Sequence, residues 1–343
     1  MATKRTVLVT GANGYIAART VEAFLQAGHS VRGTVRSLRS ATEVKEALAQ
    51  YGDKLEFAVV PDITAEGAFD EAIKGIDAVA HLASPVSFDL TDPEPVIHSA
   101  TNGTIRVLES ALKEPKVKDF VLMSSVMAML QPYTEPHTYT EADWNVAAEE
   151  AVVKLGKSTP GHIIYAASKV AAERAFWKFR DEHKPGFTFT AINPCFVTGP
   201  PLITPATPSK ISMSNVLIPD VFSGKPLASS GIQASSAYVD IRDITRLVVF
   251  GIEHGDKTDG ERFLAAAHWA PAQSVADILR EEYPERKGII EEGTPGEGYY
   301  PGYKFPSVGG LDGTKAVRVT GEEYIPWRKT VVDTAESLKS ILV

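Results

Sequence analysis

The sequence predicts an α/β protein, a doubly wound parallel sheet carrying helices on both faces, with a smaller C-terminal lobe. Short apolar runs alternate with amphipathic segments up to about residue 195, as in parallel βαβ units covered on both faces. The stretch "VLVTGANGYIA" sets glycines between the first apolar run and the first helical segment. Beyond Cys195 the texture changes to proline- and threonine-rich chain such as "NPCFVTGPPLITPATPSK", with weaker periodicity.

The elements follow in order. "TVLVT" (6–10) reads as a buried strand, followed by a glycine turn and a helix over 14–27 that stops at Gly28. "SVRGTVR" (30–36) is the second strand, with a helix near 40–50 behind it, and "LEFAVV" (55–60) is the third. A short helix near 66–74 ends at Gly75 before the fourth strand, "DAVAHLA" (77–83). A helix near 95–113 leads into "DFVLMSS" (119–125), and a helix near 162–183 into "FTFTAIN" (187–193). A closing helix is expected near 330–341. The expected division is a dinucleotide-binding domain over 1–195, with 238–265 returning to it, and a lobe from 196–237 and 266–343. Strand order is not legible in one sequence, but this strand count suits an open α/β sheet.

The chain has 343 residues, 44% hydrophobic and 23% charged, which is ordinary for a globular enzyme. A net charge of −8 gives no reason to expect nucleic acid or an acidic membrane as partner. Cys195 is the single cysteine, so no disulfide forms within the chain, as suits a reducing compartment. "MATKRTVLVTGANG" runs directly into a strand pattern without a signal-peptide core, and no apolar run approaches the ~18–20 residues that span a bilayer. The expectation is a cytoplasmic protein, monomer or homodimer, acting on a small molecule.

Gly11 permits a tight turn, Gly14 lets backbone N–H groups approach a pyrophosphate at the helix N-terminus, and Ala17 keeps helix and strand close. A strand before and a helix after make this a Rossmann-type dinucleotide site rather than a plain corner. NAD-binding sites of this kind usually carry an acid about 20 residues on. Between Ser30 and Thr42 there is none, and Arg32, Arg36 and Arg39 stand there instead. A guanidinium binds a 2′-phosphate that an acid would repel, so NADP is expected, with Arg36 at the strand end as its contact. Asp62 and Ile63, at the end of the third strand, are candidates for the adenine, although an aspartate there is also a natural cap.

Three Tyr-x-x-x-Lys matches occur: Tyr165/Lys169, Tyr283/Lys287 and Tyr300/Lys304. Pro284 pushes Tyr283 out of the helical region, and Pro301 and Gly302 interrupt the third. "YAASKVAAERAFWKF" is alanine-rich and proline-free, so Tyr165 and Lys169 share a helix face. A free phenol has a pKa of ~10. A neighbouring ammonium favours the phenolate and makes the phenol a usable proton donor near neutrality. Ser124 and Ser125 end the fifth strand at the carboxyl edge, where ligands of open sheets sit.

Together "TGANGYIA", "DAVAHLAS", "VLMSS", "YAASK" and "INPCFVTGP" resemble the extended short-chain dehydrogenase/reductases. Within them the chain is similar to the dihydroflavonol-reductase-like group, and most of all to fungal and yeast carbonyl (aldehyde and ketone) reductases that use NADPH. The resemblance spans nearly the whole chain and is strongest over 5–200. It implies that Ser125 polarises a substrate carbonyl, Tyr165 donates the proton, and Lys169 tunes it and binds the ribose. It implies that Gly11, Gly14, Tyr15 and Ile16 form the pyrophosphate turn, Arg36 takes the 2′-phosphate, and Asp62 with Ile63 the adenine. Ala83 and Ser84 are then placed at the nicotinamide side, Pro194 and Val197 against the nicotinamide, and Ser209 at the pyrophosphate. The family transfers the pro-S hydride. One departure stands out: sugar epimerases and dehydratases of this superfamily have an asparagine where "SATNGT" places Ala100, with Asn102 just before Gly103. That weakens the alternatives of an NAD-dependent nucleotide-sugar epimerase or dehydratase, and the intact Ser/Tyr/Lys set weakens that of a non-catalytic NADP sensor.

His81 reads as a hydrogen-bonded core residue, and His162 as a lesser candidate for the site. No metal is expected, since the sequence has no HExxH, cysteine pair or carboxylate cluster at metal spacing. "YTEADWN" (139–145) reads as a surface loop before the Tyr165 helix. Phe88, Met129, Tyr133, Phe196, Leu202 and segment 226–236 are candidates for an apolar substrate wall.

Overall fold

The structure, a computed structural model, describes residues 4–84, 90–299 and 310–342. The chain folds as β1 (Thr6–Val9), α1 (Tyr15–Gln26), β2 (Ser30–Val35), α2 (Thr42–Ala47), β3 (Leu55–Val59), β4 (Ala78–His81), α3 (Pro93–Lys113) and β5 (Asp119–Met123). Then come α4 (Val146–Leu155), α5 (Gly161–His183), β6 (Thr188–Pro194), β7 (Phe196–Thr198), α6 (Leu217–Phe222), β8 (Ser235–Asp240), α7 (Ile241–Glu253) and α8 (Gly255–Thr258). The chain closes with β9 (Glu261–Ala265), β10 (His268–Pro271), α9 (Ala272–Glu282), α10 (Thr314–Thr320) and α11 (Trp327–Leu342).

Among the described residues, seven strands form one sheet in the order β3-β2-β1-β4-β5-β6-β9. Every neighbouring pair in it is parallel. The order reverses between β1 and β4, the switch point at which an open sheet offers its ligand crevice. The alternation of a strand explains the two core layers. Val7 and Val9 face one layer, with α1 and α7, while Leu8 between them faces the other, with α3 and α5. A second sheet, β10-β8-β7, joins β7 and β8 in parallel and β8 and β10 antiparallel. It packs with α6, α9 and α11 around Phe222, Tyr238 and Leu279, all fully buried. Tyr238–Asp240 thus belong to the small sheet, α7 lies against α1 and β5, and β9 extends the large sheet beside β6. No helix of the described residues is long and apolar enough to cross a membrane.

Three sequence readings need correction. The expected helix at 66–74 is a chain of turns. Gly67 and Gly75 adopt φ of +69° and +77°, and bonds such as Asp70 N–H to the Gly67 carbonyl skip only three residues, so no α ladder develops. The segment 139–145 is no plain surface loop: Asn145 is buried, and Trp144 lies under the guanidinium of Arg262 at 4.0 Å. An unexpected helix, α4, also separates it from α5; Asn145 caps it, its side-chain oxygen accepting from Ala148 N–H at 3.0 Å.

Candidate active site

The glycine turn closes tightly. Gly11 has φ +66°, and a Cβ there would sit 3.2 Å from the Ala83 Cα. Gly14 donates to the Gly11 carbonyl at 2.8 Å and caps α1 through its backbone. The helical ladder opens with Ala18 N–H on the Gly14 carbonyl. No side chain caps this end and no acid stands in its first turn, so the positive end of the helix is left for an anion. That suits the pyrophosphate of a dinucleotide. Tyr15 reaches away from the turn: its hydroxyl donates to the Gly199 carbonyl at 2.9 Å, and burial, with Asp240 adding, pushes its pKa well up. Ile16 packs into the core behind it.

The three arginines separate. Arg32 is engaged, with Nε on Glu56 at 2.6 Å and NH1 on the carbonyls of Ala72 and Lys74. Arg36, just past β2, is exposed and forms no ion pair among the described residues, as does Arg39 on the following turn. Asp62 accepts from the amide and hydroxyl of Thr64 at 2.8 and 2.7 Å, which holds its carboxyl below the ordinary range. It therefore shapes its own loop. Ile63 reaches α3, where a Cβ on Gly103 would lie 2.9 Å from its Cδ1.

Behind the turn, Thr10 organises the end of β4. Its hydroxyl oxygen accepts the N–H groups of Leu82 and Ala83 at 3.0 and 2.9 Å. Its own hydrogen is left to face His81 Nδ1 at 2.9 Å, so His81 carries its proton on Nε2. Burial, reinforced by Lys169, pulls the His81 pKa down to about 3. His81 is a neutral core residue, as the sequence suggests, and His162 lies exposed.

Tyr165 and Lys169 both lie in α5, 9% and 6% exposed. The Lys169 ammonium stands 5.7 Å from the Tyr165 ring centre and donates to Ser84 Oγ at 3.0 Å. Tyr283 instead falls at the end of α9, off the helix, and bonds Glu336; Tyr300 and Lys304 lie outside the described residues. Ser124 and Ser125 follow β5. Ser125 caps the turn Val126–Ala128, its oxygen accepting from Met127 N–H at 3.1 Å, and α5 packs on that turn. The Ser125 carbonyl accepts from Asn193 Nδ2 at 3.1 Å. The helix thus meets the loop leaving β4 at Lys169 and Ser84, and packs on the turn that Ser125 caps.

The remaining candidates scatter more. Pro194 ends β6 and Val197 is buried in β7, with Cys195 N–H between them on the Ala265 carbonyl. Ser209 sits on an exposed turn and bonds Thr207. Of the wall candidates, Phe88 lies outside the described residues, and Met129, fully buried, is core. Phe196 packs into the small-sheet core near Tyr238, and Leu202 against the main core. Within 226–236, residues Leu227–Ala234 form a 3₁₀ turn leading into β8. Tyr133 is 44% exposed, stacks on His137 at 4.0 Å and donates to Asp143. The Asn102 amide faces His98 at 3.0 Å, while Ala100 lines the same small cavity as Lys169. Sequence reasoning missed Glu173, which stands in α5 one turn beyond Lys169; its signal was the i+4 repeat Tyr165, Lys169, Glu173.

The family described as the NAD dependent epimerase/dehydratase family matches residues 7–266. Aldehyde reductase 2 of Sporidiobolus salmonicolor is 39% identical over 82% of both chains. The NADPH-dependent methylglyoxal reductase of Saccharomyces cerevisiae is 32% identical over 97% of both. The crystal structure of the yeast methylglyoxal/isovaleraldehyde reductase with NADPH superposes with a TM-score of 0.84 at 30% identity, over 98% of both chains. By these matches, and by the motifs that frame Tyr165 and Lys169, the chain belongs to the NAD dependent epimerase/dehydratase family, the extended short-chain dehydrogenases and reductases.

Proposed function

We propose that this protein is an NADPH-dependent carbonyl reductase that converts a ketone or aldehyde to the alcohol. The relatives named above are reductases of that kind. The observation that carries the reading is Lys169, held by Ser84 beside Tyr165 on one buried helix face, against the strand end that bears Ser125.

NADPH, when bound, supplies the hydride. Gly11, Gly14, Tyr15 and Ile16 would hold its pyrophosphate by backbone and helix dipole, and Arg36 its 2′-phosphate. Ile63, Ala83, Ser84, Pro194 and Val197 would frame adenine and nicotinamide. Asp62 would meet the adenine through Oδ2, since both Thr64 bonds fall on Oδ1, and Ser209 would meet the pyrophosphate through its hydroxyl. The Ser125 hydroxyl donates to the substrate oxygen and orients the carbonyl. The Tyr165 hydroxyl gives its proton to that oxygen as negative charge builds there, and Lys169 stabilises the phenolate left behind. In this reading the small sheet and its helices, within 196–240 and 266–343, shape the substrate pocket.

The test is NADPH and NADH depletion over aromatic ketones, β-ketoesters, α-diketones and aldehydes. Turnover with NADPH is expected, and Tyr165→Phe should lower kcat by about 10²–10⁴-fold while leaving NADPH binding largely intact. Undiminished turnover in that variant refutes the assignment.

A further inference from the structure

A buried carboxylate stands beneath this site with no part in the chemistry just described. Glu173 is 0% exposed and lies on α5, four residues past Lys169 and eight past Tyr165, on the same stripe. Its Oε2 accepts from Ser124 Oγ at 2.5 Å and from Asn193 Nδ2 at 2.7 Å. The same Asn193 nitrogen donates to the Ser125 carbonyl at 3.1 Å. Its Oε1 accepts from Arg262 Nε at 2.6 Å and Trp177 Nε1 at 3.3 Å. Arg262, 8% exposed on β9, donates through NH1 to the carbonyls of Glu141 and Asp143 at 2.8 and 2.6 Å. One carboxylate thus ties α5, β5, β6, β9 and the segment before α4.

Stability alone is a poor reason for such an arrangement, because apolar replacement of a buried ion pair is often neutral or stabilising. Placement is a better one. The Ser125 oxygen accepts from its own turn, which leaves the hydroxyl hydrogen to donate, and its main chain is fixed through the neighbouring Ser124 hydroxyl and its own carbonyl. Both of those bonds lead to Glu173, whose helix carries Tyr165 and Lys169.

We propose that Glu173 is a positioning residue for carbonyl reduction: through Ser124 and Asn193 it sets the Ser125 hydroxyl against the Tyr165 phenol. The proposal rests on the assignment of Ser125 and Tyr165 above.

The experiment compares Glu173→Gln and Ser124→Ala with Ser125→Ala. It measures kcat per NADPH-binding site, the NADPH dissociation constant by fluorescence, and the primary deuterium isotope effect on kcat. Misplacement of a reacting group by about 1 Å costs on the order of 10²-fold. Glu173→Gln and Ser124→Ala are therefore expected to lose about 10- to 100-fold in kcat, with NADPH affinity within about twofold and a larger isotope effect. A merely structural role would lower the yield of binding sites and the melting temperature, leaving kcat per site and the isotope effect unchanged. That result, with Ser125→Ala inactive, overturns the proposal alone. Full turnover in Ser125→Ala removes the Ser125 role and this proposal with it. Should Glu173→Gln fail to fold, Ser124→Ala, which deletes one hydroxyl, carries the same decision.

Discussion

Lys169 Nζ donates to Ser84 Oγ at 3.0 Å, so the helix that bears Tyr165 is bonded to the loop leaving β4. The bond spans 85 residues of sequence. It limits where a buried ammonium can point, 5.7 Å from the centre of the Tyr165 ring.

Removing that acceptor tests the linkage. A hydrogen bond to a charged group contributes about 1.5–3 kcal/mol, and a buried donor left without its partner costs on the same scale. Ser84→Ala is expected to lower kcat/KM for the carbonyl substrate by at least about 10-fold, with a small change in melting temperature. Steady-state kinetics with saturating NADPH decide it; an unchanged kcat/KM would mean that another partner orients Lys169.

Arg36 is exposed past the end of β2, whereas Arg32 is held by Glu56 and two carbonyls. Arg36→Ala should therefore raise the KM for NADPH, by roughly 10- to 100-fold for the loss of a charge-assisted contact. The KM for NADH should barely move. Equal effects on both cofactors would detach Arg36 from the 2′-phosphate.

Gly11 combines a left-handed backbone, φ +66°, with a close neighbour in Ala83. Gly11→Ala is expected to cost about 1–2 kcal/mol from the backbone alone. The new methyl also meets the Ala83 Cα at 3.2 Å, so either the turn or the β4 loop must shift. Thermal unfolding and NADPH titration should both register the change, the titration more strongly. An unaltered affinity would show that the turn does not carry the pyrophosphate.

What was legible in the sequence was local. The strand-turn-helix corner at Gly11, the helix through Tyr165 and Lys169, and the strand bearing Ser125 each rest on periodicity and a few special residues. The turns at 66–74 look helical because Phe69, Ala72 and Ile73 repeat at helical spacing and are all buried, but Gly67 breaks the ladder that spacing suggests. Long-range partners were illegible in principle. Asp62 binds Thr64 two residues away, a local turn the sequence allows, but nothing local announces that Arg262 pairs with Glu173 from 89 residues off. Met129 and Phe196 illustrate the same limit, since an apolar side chain reads alike whether it lines a pocket or fills a core.

His81 gives the protein a pH dependence whose sign follows from burial. Its pKa is about 3 when folded and 6.5 in the unfolded reference, so between those values the unfolded chain binds a proton that the folded chain does not. The stability from keeping His81 neutral is therefore fully present above pH 6.5 and is lost as pH falls toward about 3. The slope is about 1.4 kcal/mol per pH unit, or roughly 2.7 kcal/mol by pH 4.5. His268, also lowered by burial, adds a slope of the same sign. Asp243, raised by burial to about 6, acts oppositely: its contribution is complete below 3.8 and lost as pH rises through about 6. Both remain in a His81→Asn variant, whose amide oxygen can still accept the Thr10 hydroxyl, so the difference between the two proteins isolates His81. Denaturant unfolding at pH 7 and 4.5 should show a smaller acid loss in the variant than in the wild type, whatever the baseline shift. Parallel losses in the two proteins would mean that His81 takes up its proton without unfolding, and that the Thr10–His81 bond does not hold it neutral.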